Sequence, residues 1–387
     1  METKTTNGNS AEQIGHDEDL LMEILLRVPT KSVLKFRFVS KQWMSLISST
    51  RFRHSHARTL GSLKPRALFI DRVFNPQVLS NIAVINPLNP DDESKSLPPF
   101  DFLDFTGGVR ILESCGGLLL CESGDVFCQP TYFICNPTTR ECKILPTPPV
   151  GTDCFSVSVS LAFDPLRSPH YKIIFVSRCM RGDITHIIHI FSSETDSWSS
   201  SKIEFTIKNG VKLFHAVFLN GAIHWYSDDK ESQYFDVDKE CLKTMPMPMP
   251  MPQVNDVNVN VACRYFGECG GHLNLVFAHE RVGFTFSIFE MDKDYSNWYL
   301  KHRFSLQSEI TTLWPEINSD YIYYLLISAI QSEEGDLTMF AACTEGRAIS
   351  YNCKNGTLKA LHCPYIKRTC FPRTIRACKY FETLACV

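Results

Sequence analysis

The sequence predicts an α+β chain: a small amino-terminal unit of three short helices, followed by a large all-β domain folded as a β-propeller of about six blades. Three observations lead there. Apolar residues at helical spacing are confined to residues 20–47. From residue 66 onward the apolar runs are short, rich in Val, Ile, Phe and Tyr, and cut by turn residues, which is the pattern of many strands. A strand–turn–strand element then recurs at steps of 42 to 62 residues.

The 387 residues leave room for two or three domains of ~150 residues, or for one large β domain beside a small unit. With 44% apolar and 21% charged residues, the chain has the make-up of a globular protein with an ample core. A net charge of −3 gives no global attraction to nucleic acid or membrane surfaces. The 16 cysteines fall far below the density of a disulfide scaffold, and without a Cys-x-x-Cys pair zinc ligation lacks its usual spacing. The opening METKTTNGNSAEQIGHDED lacks the apolar core of a secretory signal, and no run of 18 apolar residues is present to span a bilayer. The expectation is a cytoplasmic or nuclear protein whose cysteines are reduced and packed as small hydrophobes.

Residues 1–13 are polar and expected to be disordered. A first helix follows, in which Leu20, Leu21, Ile24, Leu25 and Val28 recur at helical spacing. Asp17, Glu18 and Asp19 put negative charge at its start, where it suits the helix dipole, and Pro29 ends it. Thr30 is placed to cap a second helix carrying Val33, Leu34 and Phe36, and Ser40 a third carrying Trp43, Leu46 and Ile47. Each such side chain gains roughly 1.5–3 kcal/mol on burial, yet a unit near ~40 residues is too small to hide them all. They must pack either on the rest of the chain or on another protein. Residues 24–66 also hold ten Lys or Arg and no Asp or Glu. That reads as a solvated face, or one turned to an acidic partner. A nucleic-acid footprint has less behind it, because no recognition helix or stacking sheet accompanies the charge.

The stretch DEDLLMEILLRVPTKSVLKFRFVSKQWMSLISSTRF resembles an F-box. The matching residues are Asp19-Leu20-Leu21, Glu23-Ile24-Leu25, Arg27-Val28-Pro29-Thr30-Lys31-Ser32, Phe36-Arg37 and Val39-Ser40-Lys41-Gln42-Trp43. The resemblance implies an F-box over residues 14–56 that docks on the Skp adaptor of a Skp–cullin–F-box ubiquitin ligase. The implied adaptor contacts are Leu20, Leu21, Ile24, Leu25, Pro29, Val33 and Trp43, with Trp43 equally readable as a plug between the helices. His16-Asp17 stand where the family has Leu-Pro, which predicts weaker binding through that corner.

In the β region the strand–turn–strand element appears as NIAVINPLNPDDESKSLPP, YFICNPTTRECKILPTPP, IHIFSSETDSWSSSKI, SQYFDVDKECLKTMPMP, FSIFEMDKDYSNWYLKHRF and AISYNCKNGTLKALHCP. Asn86, Asn136, Glu194, Asp236, Glu290 and Asn352 mark where its turns begin. Gly117, Gly221 and Gly271 each precede an inner strand, where glycine supplies backbone conformations that a tight hairpin needs. A period near 50 with about four strands each is the spacing of kelch-like propeller blades. The stretch TIRACKYFETLACV reads as one more strand, able to pair with the first unit and close the ring. A pair of β-sandwiches is the rival architecture. CGGLLLC, NPTTRECKILP, LAFDP, YKII, IFSSETDSW, GAIHW and FDVDKE further resemble the plant F-box-associated, kelch-like interaction domain, which assigns residues 66–387 to target recognition. MPMPMPMPQVNDVNVN, residues 245–260, reads as an extended insertion, and otherwise as a contact loop for a target.

No nucleophile elbow, P-loop, dinucleotide fingerprint or zinc-protease helix occurs. His186 and His189 either alternate to opposite faces of one strand or sit near a turn, and His272 and His279 are expected at strand ends. No catalytic residue, cofactor or metal is expected. The resemblance agrees, since it places ubiquitin transfer on ring-finger and conjugating-enzyme partners carried by the cullin. Three readings stay open: a target-recruiting ligase subunit, a binding scaffold outside any ligase, and a propeller oxidase with a Tyr/His/Cys metal cluster that the spacing does not assemble.

Overall fold

The computed structural model describes residues 17–61, 64–72, 83–85, 109–124, 130–151, 154–179, 185–208, 210–248, 261–279, 285–315, 324–332, 335–343, 347–361 and 375–387. Residues 1–13, Asn86 and most of the Met-Pro run therefore lie outside the described residues. The amino-terminal unit contains four helices where three were expected: α1 (Glu18–Leu25), α2 (Thr30–Phe36), α3 (Lys41–Ser48) and α4 (Thr50–Leu60). Asp17 caps α1, its Oδ1 accepting from the N–H groups of Asp19 and Leu20 at 3.1 Å. Ser40 caps α3 through the N–H of Trp43, and Ser49 caps α4 through that of Phe52, both at 3.2 Å. Thr30 is not a cap. It is the first helical residue behind Pro29, and its Oγ1 donates to the carbonyl of Glu382 at 3.4 Å.

The β region forms six sheets among the described residues. β1 (Ala67–Arg72) and β2 (Ala83–Ile85) open it. Five four-stranded meanders follow. The first is β3 (Arg110–Cys115), β4 (Leu118–Ser123), β5 (Thr131–Asn136) and β6 (Glu141–Ile144). The second is β7 (Cys154–Ala162), β8 (Lys172–Cys179), β9 (Thr185–Ser192) and β10 (Ser197–Phe205). The third is β11 (Val211–Leu219), β12 (Ala222–Ser227), β13 (Glu231–Asp236) and β14 (Cys241–Pro246). The fourth is β15 (Val261–Cys269), β16 (His272–His279), β17 (Thr285–Met291) and β18 (Trp298–Ser305). The fifth is β19 (Tyr324–Gln331), β20 (Leu337–Cys343), β21 (Arg347–Asn352) and β22 (Thr357–Leu361), with α5 (Gln307–Leu313) in the connection before it.

β23 (Ile375–Tyr380) returns to pair antiparallel with β1, Ala67 opposite Tyr380 and Arg72 opposite Ile375. The closing strand read from the sequence is thus in place. The innermost strands β3, β7, β11, β15, β19 and β23 touch in that cyclic order, so five four-stranded blades and one three-stranded sheet make a closed propeller. A closed ring of blades leaves no long exposed sheet edge at its inner side.

The repeat is physical as well as statistical. Asn136, Asp236 and Asn352 each end a third strand, and each side chain accepts from the N–H two or three residues on. Arg140, Asp196, Glu240 and Gly356 occupy the matching left-handed position of the same hairpin in four blades. Gly117, Gly221 and Gly271 turn the first strand into the second with φ of +90°, +79° and +78°. Every innermost strand of the five four-stranded blades carries a register shift against its neighbour. Such a bulge re-aims the following side chain. Two of those side chains stitch the ring: Glu113 accepts from Leu161 N–H at 2.7 Å, and Ser158 donates to the Leu213 carbonyl at 2.8 Å. Further out, the indole N–H of Trp198 reaches the carbonyl of Pro146, and that of Trp298 reaches Pro246, each at 2.8 Å and each 52 residues away.

The expectation of wholly reduced cysteines does not hold. Cys135 with Cys142 and Cys154 with Cys179 form disulfides between directly opposed residues of adjacent antiparallel strands. Sequence spacings of 7 and 25 match no metal or redox motif, so only the strand register brings these sulfurs together. Among the described residues, Cys115, Cys241, Cys269, Cys353 and Cys386 are free thiols.

Candidate functional site: an apolar face on the helical unit

Leu21 and Leu25 are one turn apart on α1 and point inward, joined by Val33 of α2, Leu46 and Ile47 of α3, and Phe52 of α4. Leu384, from far along the chain, completes this core. Three residues expected at a docking surface, Leu21, Leu25 and Val33, are therefore sealed inside. The expectation assumed a three-helix unit too small to bury them, whereas α4 and Leu384 supply the missing wall.

Leu20 and Ile24 occupy the neighbouring stripe of α1 and remain 40% and 45% exposed. Pro29 is exposed as well. Trp43 is half-buried, packing edge-on against Phe36 with ring centroids 5.7 Å apart. The plug reading of Trp43 is thus partly realised, and its other side stays open. Phe38, Val39 and Met44 are exposed too, Phe38 to 89%. Phe38 and Met44 were missed, and Val39 was counted only among the side chains too numerous for the unit to hide. The signal was available: Phe38 and Val39 fall in the short turn between α2 and the Ser40 cap, where polar residues are the rule. After all its internal contacts, the unit leaves these large apolar side chains uncovered on α1, in the α2–α3 turn and on α3.

The basic residues of the unit divide by role. Arg53, almost wholly buried, makes a two-pronged ion pair with Glu141 of β6 at 2.6 and 2.8 Å. Burial works against the charge on both partners, but the paired hydrogen bonds and opposite charge win, holding the Arg53 guanidinium above and the Glu141 carboxyl below their ordinary values. Arg37 lies 3.9 Å from the same carboxylate, and Lys31 pairs with Glu382 at 2.8 Å. Part of the basic run is therefore turned to acids of the chain's own β body, not to an external partner.

Elsewhere the chemistry is sparse. A cavity of about 680 Å³ opens at the ring axis, lined by Leu112, Leu161, Ala216, Tyr265, Ser328 and Lys379 from the six innermost strands. Lys379 Nζ reaches across it to Glu268. His189 is held between the hydroxyls of Ser177 and Ser200, each at 3.0 Å, while His186 packs on Phe205. His272 and His279 are the first and last residues of β16. No group of three His, Cys, Asp or Glu suited to a metal occurs among the described residues. No described helix is long and apolar enough to cross a membrane.

Comparison with known proteins places this geometry. A family model for the F-box domain matches residues 17–55, and one for the F-box associated beta propeller domain matches residues 81–382. The chain belongs to the F-box-associated β-propeller family. Among its F-box relatives, the Arabidopsis thaliana F-box protein At5g07610 is 26% identical over 92% of this chain and 87% of its own length. The putative F-box protein At3g47150 of the same plant is 35% identical, over 36% of this chain and 38% of its own. Among solved structures, the Pseudomonas aeruginosa periplasmic gluconolactonase PpgL covers 76% of this chain and 82% of its own at 9% identity, with a TM-score of 0.41, too slight to bear on function. Within the F-box, Asp17 at the position of the family's proline serves as the α1 cap, while His16 lies outside the described residues.

Proposed function

We propose that this F-box protein recruits a target to a Skp–cullin–F-box ubiquitin ligase and performs no chemistry itself. Its F-box, residues 14–56, docks on the Skp adaptor, and through it on the cullin and ring-finger subunits. The propeller, residues 66–387, holds the target near the transfer site at high effective concentration. One observation carries the reading: Leu20, Ile24, Phe38, Val39 and Met44 stay exposed although the unit's own core is complete. Leu20, Ile24, Pro29 and the open side of Trp43 are then direct contacts, and Leu21, Leu25 and Val33 support them from beneath. Asp17 favours the same reading, because a capped α1 presents Leu20 and Ile24 one turn apart.

The blade topology supports a division of labour. Turns between first and second strands, and between third and fourth, share one end of every blade, and the helical unit sits at that end against Glu141. The remaining connections, including that carrying α5, emerge at the other end, where loops free to vary select the target.

Leu20→Asp combined with Ile24→Asp tests the dock. Losing two apolar contacts should weaken adaptor binding by on the order of a hundredfold or more, with propeller melting unchanged. Undiminished co-purification of the double variant with purified adaptor would remove this face from the dock.

A further inference from the structure

We infer that residues 381–387 form a strap that locks the F-box to the propeller in one orientation, with Asn136, Glu141 and Leu384 as its positioning residues. The strap itself stands on contacts alone; its consequence for target presentation rests on the ligase reading above.

Asn136 is fully buried at the end of β5. Its Nδ2 donates to the carbonyls of Thr383 at 3.1 Å and Ala385 at 2.8 Å, the residues on either side of Leu384. Gripping both neighbours from the propeller side leaves the Leu384 side chain to point the other way, and it enters the helical core at 2% exposure. The remaining oxygen of Asn136 accepts from Thr138 N–H at 2.9 Å, so one side chain shapes its own hairpin and holds the strap. Across that hairpin, Glu141 takes Arg53 and lies near Arg37. Glu382 binds α2 twice, through its carboxylate to Lys31 and its carbonyl to Thr30. A single β hairpin thus clamps the helical unit both directly and through the strap.

The covalent link reaches the propeller at Arg66, whose N–H donates to the Tyr380 carbonyl at 2.7 Å. Helix α4 ends at Gly61, whose φ of +71° suits a glycine C-cap and whose N–H donates to the Ala57 carbonyl at 3.1 Å. Without the strap, only the Arg53–Glu141 pair and this short link would hold the F-box to the propeller. A slack connection between two binding modules lowers effective concentration, so the strap sets how far a held target stands from the transfer site.

Asn136→Asp is the selective test. Aspartate keeps the acceptor that the hairpin needs, but turns a carboxylate toward two carbonyls and leaves the helical core intact. Leu384→Asp attacks the same lock from the other side. In the full chain, both variants should raise proteolytic cleavage between residues 61 and 66 by about tenfold. Both should enlarge the maximum dimension in solution scattering, while Asn136→Asp keeps the wild-type Kd for purified adaptor. Unchanged cleavage and scattering in Asn136→Asp would overturn the strap. So would a Leu384→Asp chain that merely loses helical circular dichroism while Asn136→Asp stays rigid. If the wild-type chain fails to bind adaptor yet both variants loosen, the ligase reading falls and the strap stands.

Discussion

Gly117 and Gly271 hold equivalent turns, yet their surroundings differ. Both have positive φ, +90° and +78°, where any side chain is strained. A Cβ at Gly271 would meet nothing within 4 Å, whereas one at Gly117 would fall 2.4 Å from Thr383 Oγ1. Gly271→Ala should therefore cost only the backbone strain, about 1–2 kcal/mol. Gly117→Ala should cost more, about 3 kcal/mol, because Thr383 must also give way. Denaturant midpoints at constant m-value measure both, and equal losses would mean that Thr383 moves aside freely. Residues like these show what sequence can and cannot deliver. Gly117, Gly221 and Gly271 are legible because a tight turn demands a backbone that only glycine adopts easily. Asn136 is legible as the start of a turn for the same local reason, but its grip on Thr383 and Ala385 is not, since 247 and 249 residues separate the partners. Phe38 was readable, as an aromatic in a polar turn, and was passed over.

Helix α4 is the element that sequence patterning missed, and its composition explains why. TRFRHSHARTL shows no apolar stripe, and it buries Arg53 and His56 alongside Phe52 and Ala57. Polar groups buried with partners carry no signature in hydrophobic periodicity. His56 Nε2 donates to the Val28 carbonyl at 2.8 Å, seating α4 against the turn after α1. Burial pushes the His56 ring below its ordinary value, and the carbonyl contact only partly opposes this. The folded form therefore prefers neutral His56. That preference contributes its full stability above the unfolded value of about 6.5, and is lost as pH falls through the lower folded value. The stability gap between the wild type and His56→Gln should be widest near neutrality and narrow on acidification. A gap that stays constant with pH, read from thermal melts, would show that His56 does not titrate against folding. The Trp198 and Trp298 clasps were equally hidden, although both tryptophans stand in the quoted repeats. A 52-residue offset to a proline carbonyl becomes visible only when consecutive blades are stacked side by side.

At the scale of the whole molecule, the α+β division, the blade period and the closing strand were all readable, because they follow from hydrophobic pattern and turn chemistry. What holds the ring closed was not. Lys379 lies on β23, the innermost strand of the closing sheet, and pairs with Glu268 on β15 at 3.2 Å. In the cyclic order of inner strands β19 stands between these two, so the pair is a strut across the axis. Burial alone would raise the Glu268 carboxyl, but Lys379 and the N–H of Gly271 overcome it and hold it below its ordinary value. Burial likewise opposes the charge on Lys379, and Glu268 again reverses the balance upward. The strut is therefore charged across the physiological range and weakens only as pH falls through the depressed Glu268 value. Lys379→Met would leave a carboxylate in the channel without its partner. A fully buried orphan charge costs about 3–5 kcal/mol, and because Glu268 keeps about a third of its side chain exposed, a loss nearer ~2 kcal/mol is expected. Glu268→Gln added to Lys379→Met removes the orphan charge, so the double variant should regain about half of that loss. Urea midpoints of the single and double variants decide the matter. If Lys379→Met unfolds at the wild-type midpoint, the ring is closed by the β1–β23 pairing alone. If the double variant is no better than the single one, the pair acts by packing and not by charge.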